Sequence, residues 1–192
     1  IIDGILLSRA RMLRYPHGDM AALEEMLKSS ATGQGRRLIV TDTVFSMDGD
    51  IAPLKDIVAL AEKYHSMLMV DEAHALGVFG KSGRGAVEHF GLTGNIDIQM
   101  GTLSKAVGAF GAYVCGSRKL IDFLVNRSRS FIYSTALPPA IAAAASPAAV
   151  RTFRRDGAGL GGFCTSVGRF IAGVLRTDPR RNVPARAPRR SG

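Results

Sequence analysis

Two short apolar runs that each close on an aspartate constrain this chain most: Arg37-Leu-Ile-Val-Thr-Asp42 and Met67-Leu-Met-Val-Asp71. Each is shorter than a buried helix, so each reads as a buried strand. Between them Pro53 opens a helix near 54–65, with Leu54, Ile57, Val58 and Ala61 on one face. The alternation extends in both directions. Asp19 caps a helix over about 20–29, with Leu23, Met26 and Leu27 at helical spacing. Asp97 to Gly101 reads as a third strand and Gly111 to Gly116 as a fourth. Ser117 starts a helix that runs to about Arg127, and Pro138-Pro139 starts a last one, rich in alanine. Strands alternating with helices predict an α/β domain, with a mostly parallel sheet covered by helices. Ligands of such sheets sit at the carboxyl ends of the strands. Thr41-Asp42, Asp71 to His74 and Thr102 to Lys105 each follow such an end, so three polar clusters should meet on one edge.

Composition narrows the function classes. With 46% hydrophobic and 21% charged residues in 192, the balance is that of a soluble globular protein. No apolar run reaches the roughly 18 residues of a membrane span. The start, Ile1-Ile-Asp-Gly-Ile, lacks a signal-peptide pattern and an initiator methionine, so a longer protein is expected, with the cytoplasm as its default compartment. Cys115 and Cys164 make neither a disulfide framework nor a metal-ligand cluster, and each reads as a small buried hydrophobe. The net charge of +9 is a tail property. Ten of the 25 basic residues and two of the 16 acidic ones lie in 151–192, a net of +8 there and +1 in the rest. Nucleic acid is therefore not an expected partner of the body. A tail that binds nucleic acid would do so with strong salt dependence.

Two motifs mislead. Asp71-Glu-Ala-His74 resembles a helicase DEAH box, and Ala75 to Ser82 nearly matches the phosphate loop G-x-x-x-x-G-K-[ST]. A phosphate loop joins its own strand to a helix, and the metal-binding acid comes from a different strand. Here both motifs follow one strand, and Ala75 replaces the leading glycine. A nucleic-acid-dependent ATPase is not the expected reading.

A different chemistry fits the three clusters. Pyridoxal 5'-phosphate needs a lysine for its Schiff base, a carboxylate against its pyridine nitrogen, a donor near its phenolic oxygen, and hydroxyls or N–H groups for its phosphate. Asp71 ends an apolar strand, where an ionised carboxylate needs a cationic partner. His74 lies three residues on. Lys105 stands among small and hydroxyl residues: Gly101, Thr102, Ser104, Ala106 and Gly108. Each has a plainer reading taken alone: a turn-capping aspartate, a loop histidine, a solvated lysine. Their spacing relative to the strands favours the cofactor. No metal site is expected.

At this point the residues resemble a family. Thr41 to Leu54, Val70-Asp-Glu-Ala-His74, Gly83-Arg-Gly85, Gly101-Thr-Leu-Ser-Lys105 and Phe131 to Pro139 occur in the order found in the α-oxoamine synthases, fold-type-I pyridoxal phosphate enzymes. The resemblance runs from Ile1 to about Ala145. It implies part of a pyridoxal phosphate-binding large domain over 1–145. Residues 146–192 are then a family-unlike Arg/Gly/Pro-rich tail, frameshifted or disordered. It implies that Lys105 carries the cofactor and removes the substrate's α-proton, that Asp71 pairs with the pyridine nitrogen, and that His74 approaches the phenolic oxygen. Ser46 would lie at the cofactor, Thr102 would bind phosphate, and Thr135 would reach the phosphate in the other subunit of a homodimer with shared sites. The implied reaction is a decarboxylative condensation of L-alanine with a pimeloyl thioester of CoA or a carrier protein. Glycine with acetyl-CoA, as in a glycine C-acetyltransferase, and an inactive fragment of such an enzyme are the alternatives. The resemblance also places a glycine-rich phosphate loop and a ring-stacking histidine ahead of Ile1, and a small domain with a substrate-binding arginine after Ala145.

Overall fold

In the computed structural model, residues 1–30, 35–143 and 145 are described. Helix α1 (Ile2–Leu7) and helix α2 (Met20–Ser29) precede strand β1 (Leu38–Asp42). Helix α3 (Leu54–Lys63) leads to β2 (Met67–Asp71), and the short α4 (Ala86–His89) to β3 (Ile98–Thr102). Strand β4 (Ala112–Gly116), α5 (Arg118–Arg127) and α6 (Arg129–Ile132) follow, with a further helical turn at 139–143. The sheet has the order β1-β2-β3-β4. Strands β1, β2 and β3 run parallel, and β4 pairs antiparallel to β3. The expected mostly parallel α/β sheet is what the chain forms. The tail expectation for 146–192, and Cys164 with it, lies outside the described residues.

Local chemistry explains the elements. The Asp19 carboxylate accepts the Ala22 N–H at 2.9 Å and caps α2. The Ser117 hydroxyl does the same for Leu120 at the start of α5. Pro53 sets the entry to α3, which ends as His65 turns to φ 50. The third strand begins one residue later than the apolar pattern indicates. Asp97 stays outside it because its carboxylate accepts the Leu68 N–H at 2.8 Å.

One core lies between the sheet and α2 and α3. Leu23, Leu27, Ile39, Leu54, Ile57, Val58, Leu68 and Val70 are buried in it. Each such side chain contributes about 1.5–3 kcal/mol by leaving water. Arg37 ties the helices to β1 by donating to the carbonyls of Leu27 and Tyr64, at the carboxyl ends of α2 and α3. Among the described residues no helix is long and apolar enough to cross a membrane.

Candidate active site

The carboxyl ends of β1, β2 and β3 bring the predicted clusters together. The Lys105 Nζ and His74 Nε2 are 2.6 Å apart. A lysine ammonium only donates, so in that state the imidazole accepts at Nε2 and carries its own proton on Nδ1. Asp71 is half-buried at the end of β2, and its Oδ1 accepts the Ala73 N–H at 2.8 Å. Lys105 is exposed in the loop between β3 and β4.

That loop is held from beneath. Leu103 and Val107 are buried at 1% and 5% exposure, and they flank Lys105 in sequence. The Leu103 N–H donates to Gly111 O at 2.9 Å, and the Ala109 N–H to Leu103 O at 2.8 Å. Gly111 sits at φ +121 against Leu103 and Leu137, where an added Cβ would lie 3.0 Å from Leu137 Cδ1. Thr102, the last residue of β3, uses its hydroxyl inside the loop, donating to Gly111 O at 3.1 Å and lying 2.7 Å from Ser104 Oγ.

The turn carrying His74 is held by a residue that sequence reasoning missed. Glu72 is 1% exposed. Its carboxylate accepts from Thr43 Oγ1 at 3.0 Å, Ala86 N at 2.9 Å and Val87 N at 2.8 Å. Burial pushes its proton affinity up, and these three donors pull against that shift without cancelling it. Gly85 has φ +107, and a Cβ there would lie 2.4 Å from Glu72 Oε2. Only glycine fits that place in Gly83-Arg-Gly85. The middle of the DEAH-like run is thus a structural carboxylate, and residues 81–85 are turn and irregular backbone where a phosphate loop would open its helix.

The remaining expected residues lie on exposed segments. Ser46 is exposed in the turn 46–48, and Thr135 is exposed in an irregular segment after α6. The Ser46 turn is tied to the N-terminal segment: His17 Nε2 lies 2.7 Å from Asp50 Oδ2, and the His17 and Phe45 rings meet edge-on at 4.3 Å. Asp42 belongs to one of the three clusters but carries no role in the sequence reading. It ends β1 in register with Asp71. Its signal was available, because it closes an apolar strand as Asp71 does. Cys115 is half-buried where the sequence pattern predicts a buried residue, and what burial it has pushes its thiol up to about 11.

Comparison with known proteins decides the family. Residues 1–155 match the model of aminotransferase class I and II. The chain belongs to that family. It is 60% identical over 148 residues to 8-amino-7-oxononanoate synthase of Geobacter sulfurreducens, covering 77% of this chain and 38% of that protein. Among solved structures, SPT with PLP internal aldimine aligns with a TM-score of 0.75 at 37% identity, over 80% of this chain and 38% of that one. The 8-amino-7-oxononanoate synthase of Francisella tularensis aligns at 0.68 and 36% identity, over 81% and 44%. The chain therefore spans under half the length of these relatives, and it shares their fold over that span.

Proposed function

We propose that this chain is the lysine-bearing segment of an 8-amino-7-oxononanoate synthase, condensing L-alanine with a pimeloyl thioester in biotin synthesis. The observation that carries the reading is the 2.6 Å approach of Lys105 Nζ to His74 Nε2 beside Asp71. The relative at 60% identity bears that enzyme's name.

The residues fit pyridoxal phosphate. An exposed amine, an imidazole in contact with it, and a half-buried carboxylate already oriented by an amide suit, in turn, the aldehyde, the phenolic oxygen and the ring nitrogen of that cofactor. Bound there, the cofactor would supply an electron sink for the amino acid's α-carbon. Lys105 would hold the cofactor and move the proton at that carbon. Asp71 would hold the proton on the ring nitrogen, and His74 would orient the phenolic oxygen. Thr102 and Ser46 would serve the cofactor's polar groups, and exposed Thr135 would face the phosphate of a second subunit in a homodimer.

The test is chemical trapping. The chain is incubated with pyridoxal phosphate, reduced with borohydride and digested, and the modified lysine is located by mass spectrometry. Modification confined to Lys105, and absent in Lys105→Ala, is the expected result. Labelling spread over surface lysines would defeat the reading for this segment. In a longer protein containing it, Asp71→Asn should lower turnover by about 10²–10³, the scale for losing one preorganised electrostatic group.

A further inference from the structure

His74 is placed by its backbone. Among the described residues its imidazole makes one hydrogen bond, to Lys105 Nζ at 2.6 Å, and no second one orients the ring. Where Nε2 stands therefore depends on the turn that carries it.

Glu72 braces that turn from two directions. Its backbone belongs to the site. The Glu72 N–H donates to Met100 O on β3 at 2.8 Å, and the Glu72 carbonyl accepts the Ala75 and Leu76 N–H groups at 3.0 and 2.8 Å. Those last two bonds close the chain around His74. Its carboxylate belongs to the scaffold. Oε2 accepts from Thr43 Oγ1 at 3.0 Å and from Ala86 N at 2.9 Å, and Oε1 accepts from Val87 N at 2.8 Å. All three donors lie outside the turn, so a shift of the turn pulls the carboxylate from them. Gly85 closes the remaining side, where a Cβ would collide with Oε2. Thr43 also ties β1 to the residue before Glu72, its N–H donating to Asp71 O at 2.9 Å.

Ala75 and Leu76 anchor the same turn by burial, at 0% and 1% exposure. Apolar contact is non-directional, so it fixes the depth of the turn. Hydrogen bonds to a carboxylate are strong and directional, so they fix its angle. A reacting group keeps its geometry through such bonds to rigid elements.

We propose that Glu72 is a positioning residue of this site: its carboxylate, held by Thr43, Ala86 and Val87, sets the turn at the angle that brings His74 Nε2 to Lys105 Nζ. Its chemical consequence rests on the cofactor reading above, in which the same hold keeps His74 at the phenolic oxygen.

Nitrogen NMR of the imidazoles, in the full 192-residue chain without cofactor and with His74 neutral, reads the contact. An accepting Nε2 and a protonated Nδ1 give distinct resonances, and His74→Asn identifies them by their loss. Lys105→Ala gives their positions with the contact gone. Glu72→Gln keeps the shape but turns an N–H toward donors, and should move the His74 resonances most of the way to those positions. Thr43→Val removes one donor and should move them less, in the same direction. Ile57→Val loosens the core away from the turn and should leave them in place. Unmoved resonances in a folded Glu72→Gln chain overturn the proposal. If that chain does not fold, unmoved resonances in Thr43→Val do so. An equal movement in Ile57→Val also overturns it, because any loss of stability would then suffice. With pyridoxal phosphate bound, the visible band of Glu72→Gln should shift in the direction seen for His74→Asn, and a band like that of the unaltered chain removes Glu72 from the chemistry. Failure of the unaltered chain to take up cofactor, with the His74 resonances moving as stated, counts against the cofactor reading and upholds the brace.

Discussion

The β1–β2 side of the sheet and the β3–β4 side share one hydrogen-bonded ladder but are covered differently. On the first side α2 and α3 bury Leu23, Leu27, Leu54, Ile57, Val58 and Ala61. On the second, α5 and α6 have no buried residue, and Phe123 and Tyr133 are 59% and 77% exposed. Helix α5 still forms. Ser117 caps it, and Arg118 Nε donates to the Asp122 carboxylate one turn on at 2.7 Å. Local signals therefore suffice to make a helix, while a core requires the neighbours that α3 has. The catalytic candidates straddle this divide: Asp71 and His74 stand on the packed side, and Lys105 hangs from the sparser one.

The comparison can be broken most forcefully at Ile57, which is 0% exposed. Ile57→Ala should cost about 2–5 kcal/mol in urea unfolding, the range for large-to-small changes in a filled core. A cost below 1 kcal/mol, on the order of a surface change, would mean the packed side is not packed. Glu72→Gln comes next. It replaces an oxygen that accepts with an amide that donates, and should cost about 1–3 kcal/mol. It should also remove a loss of stability that the unaltered chain shows as pH rises past about 4.5. The folded state holds the Glu72 proton more tightly than the unfolded one, so the contribution is full below about pH 4.5 and is lost as pH rises through the raised value. A pH profile unchanged by Glu72→Gln would remove Glu72 as its source.

A smaller effect belongs to the exposed His17–Asp50 contact. The hydrogen bond to Asp50 raises His17 above 6.5. Its contribution is therefore complete below that value and lost as pH rises through the raised one. Proton NMR should show the His17 midpoint fall in Asp50→Asn, and a static midpoint would mean the contact does not form in solution. The smallest effect is expected at Phe123. Phe123→Ser should change the stability of this chain by no more than about 0.5 kcal/mol. A loss approaching that at Ile57 would show that the sparser side is covered in solution.

Much of this was legible before any coordinates. The strand Met67 to Asp71 forms with the limits its apolar pattern sets, and Asp19, Pro53 and Ser117 mark helix starts as their chemistry dictates. The meeting of Asp71, His74 and Lys105 followed from strand order alone, because parallel strands share a carboxyl edge. Glu72 was not legible. Its partners come from Thr43 and from Ala86 and Val87, 29, 14 and 15 residues away, and no local pattern announces such contacts. The short helices α4 and α6 carry four residues each, less than the window in which helical periodicity shows. Asp42 was visible as a strand-end acid but looked ordinary until its register with Asp71 was known.

The reversal of β4 has an architectural consequence. Had β4 continued the parallel order, the chain after β3 would need a crossover of a dozen or more residues. Because it turns back, the segment from Leu103 to Gly111 closes a hairpin, with Lys105 between its two arms. The lysine is thus mounted separately from the acid and the imidazole it faces. Changes in the hairpin can therefore alter the reach of Lys105 while β1 and β2 stay as they are.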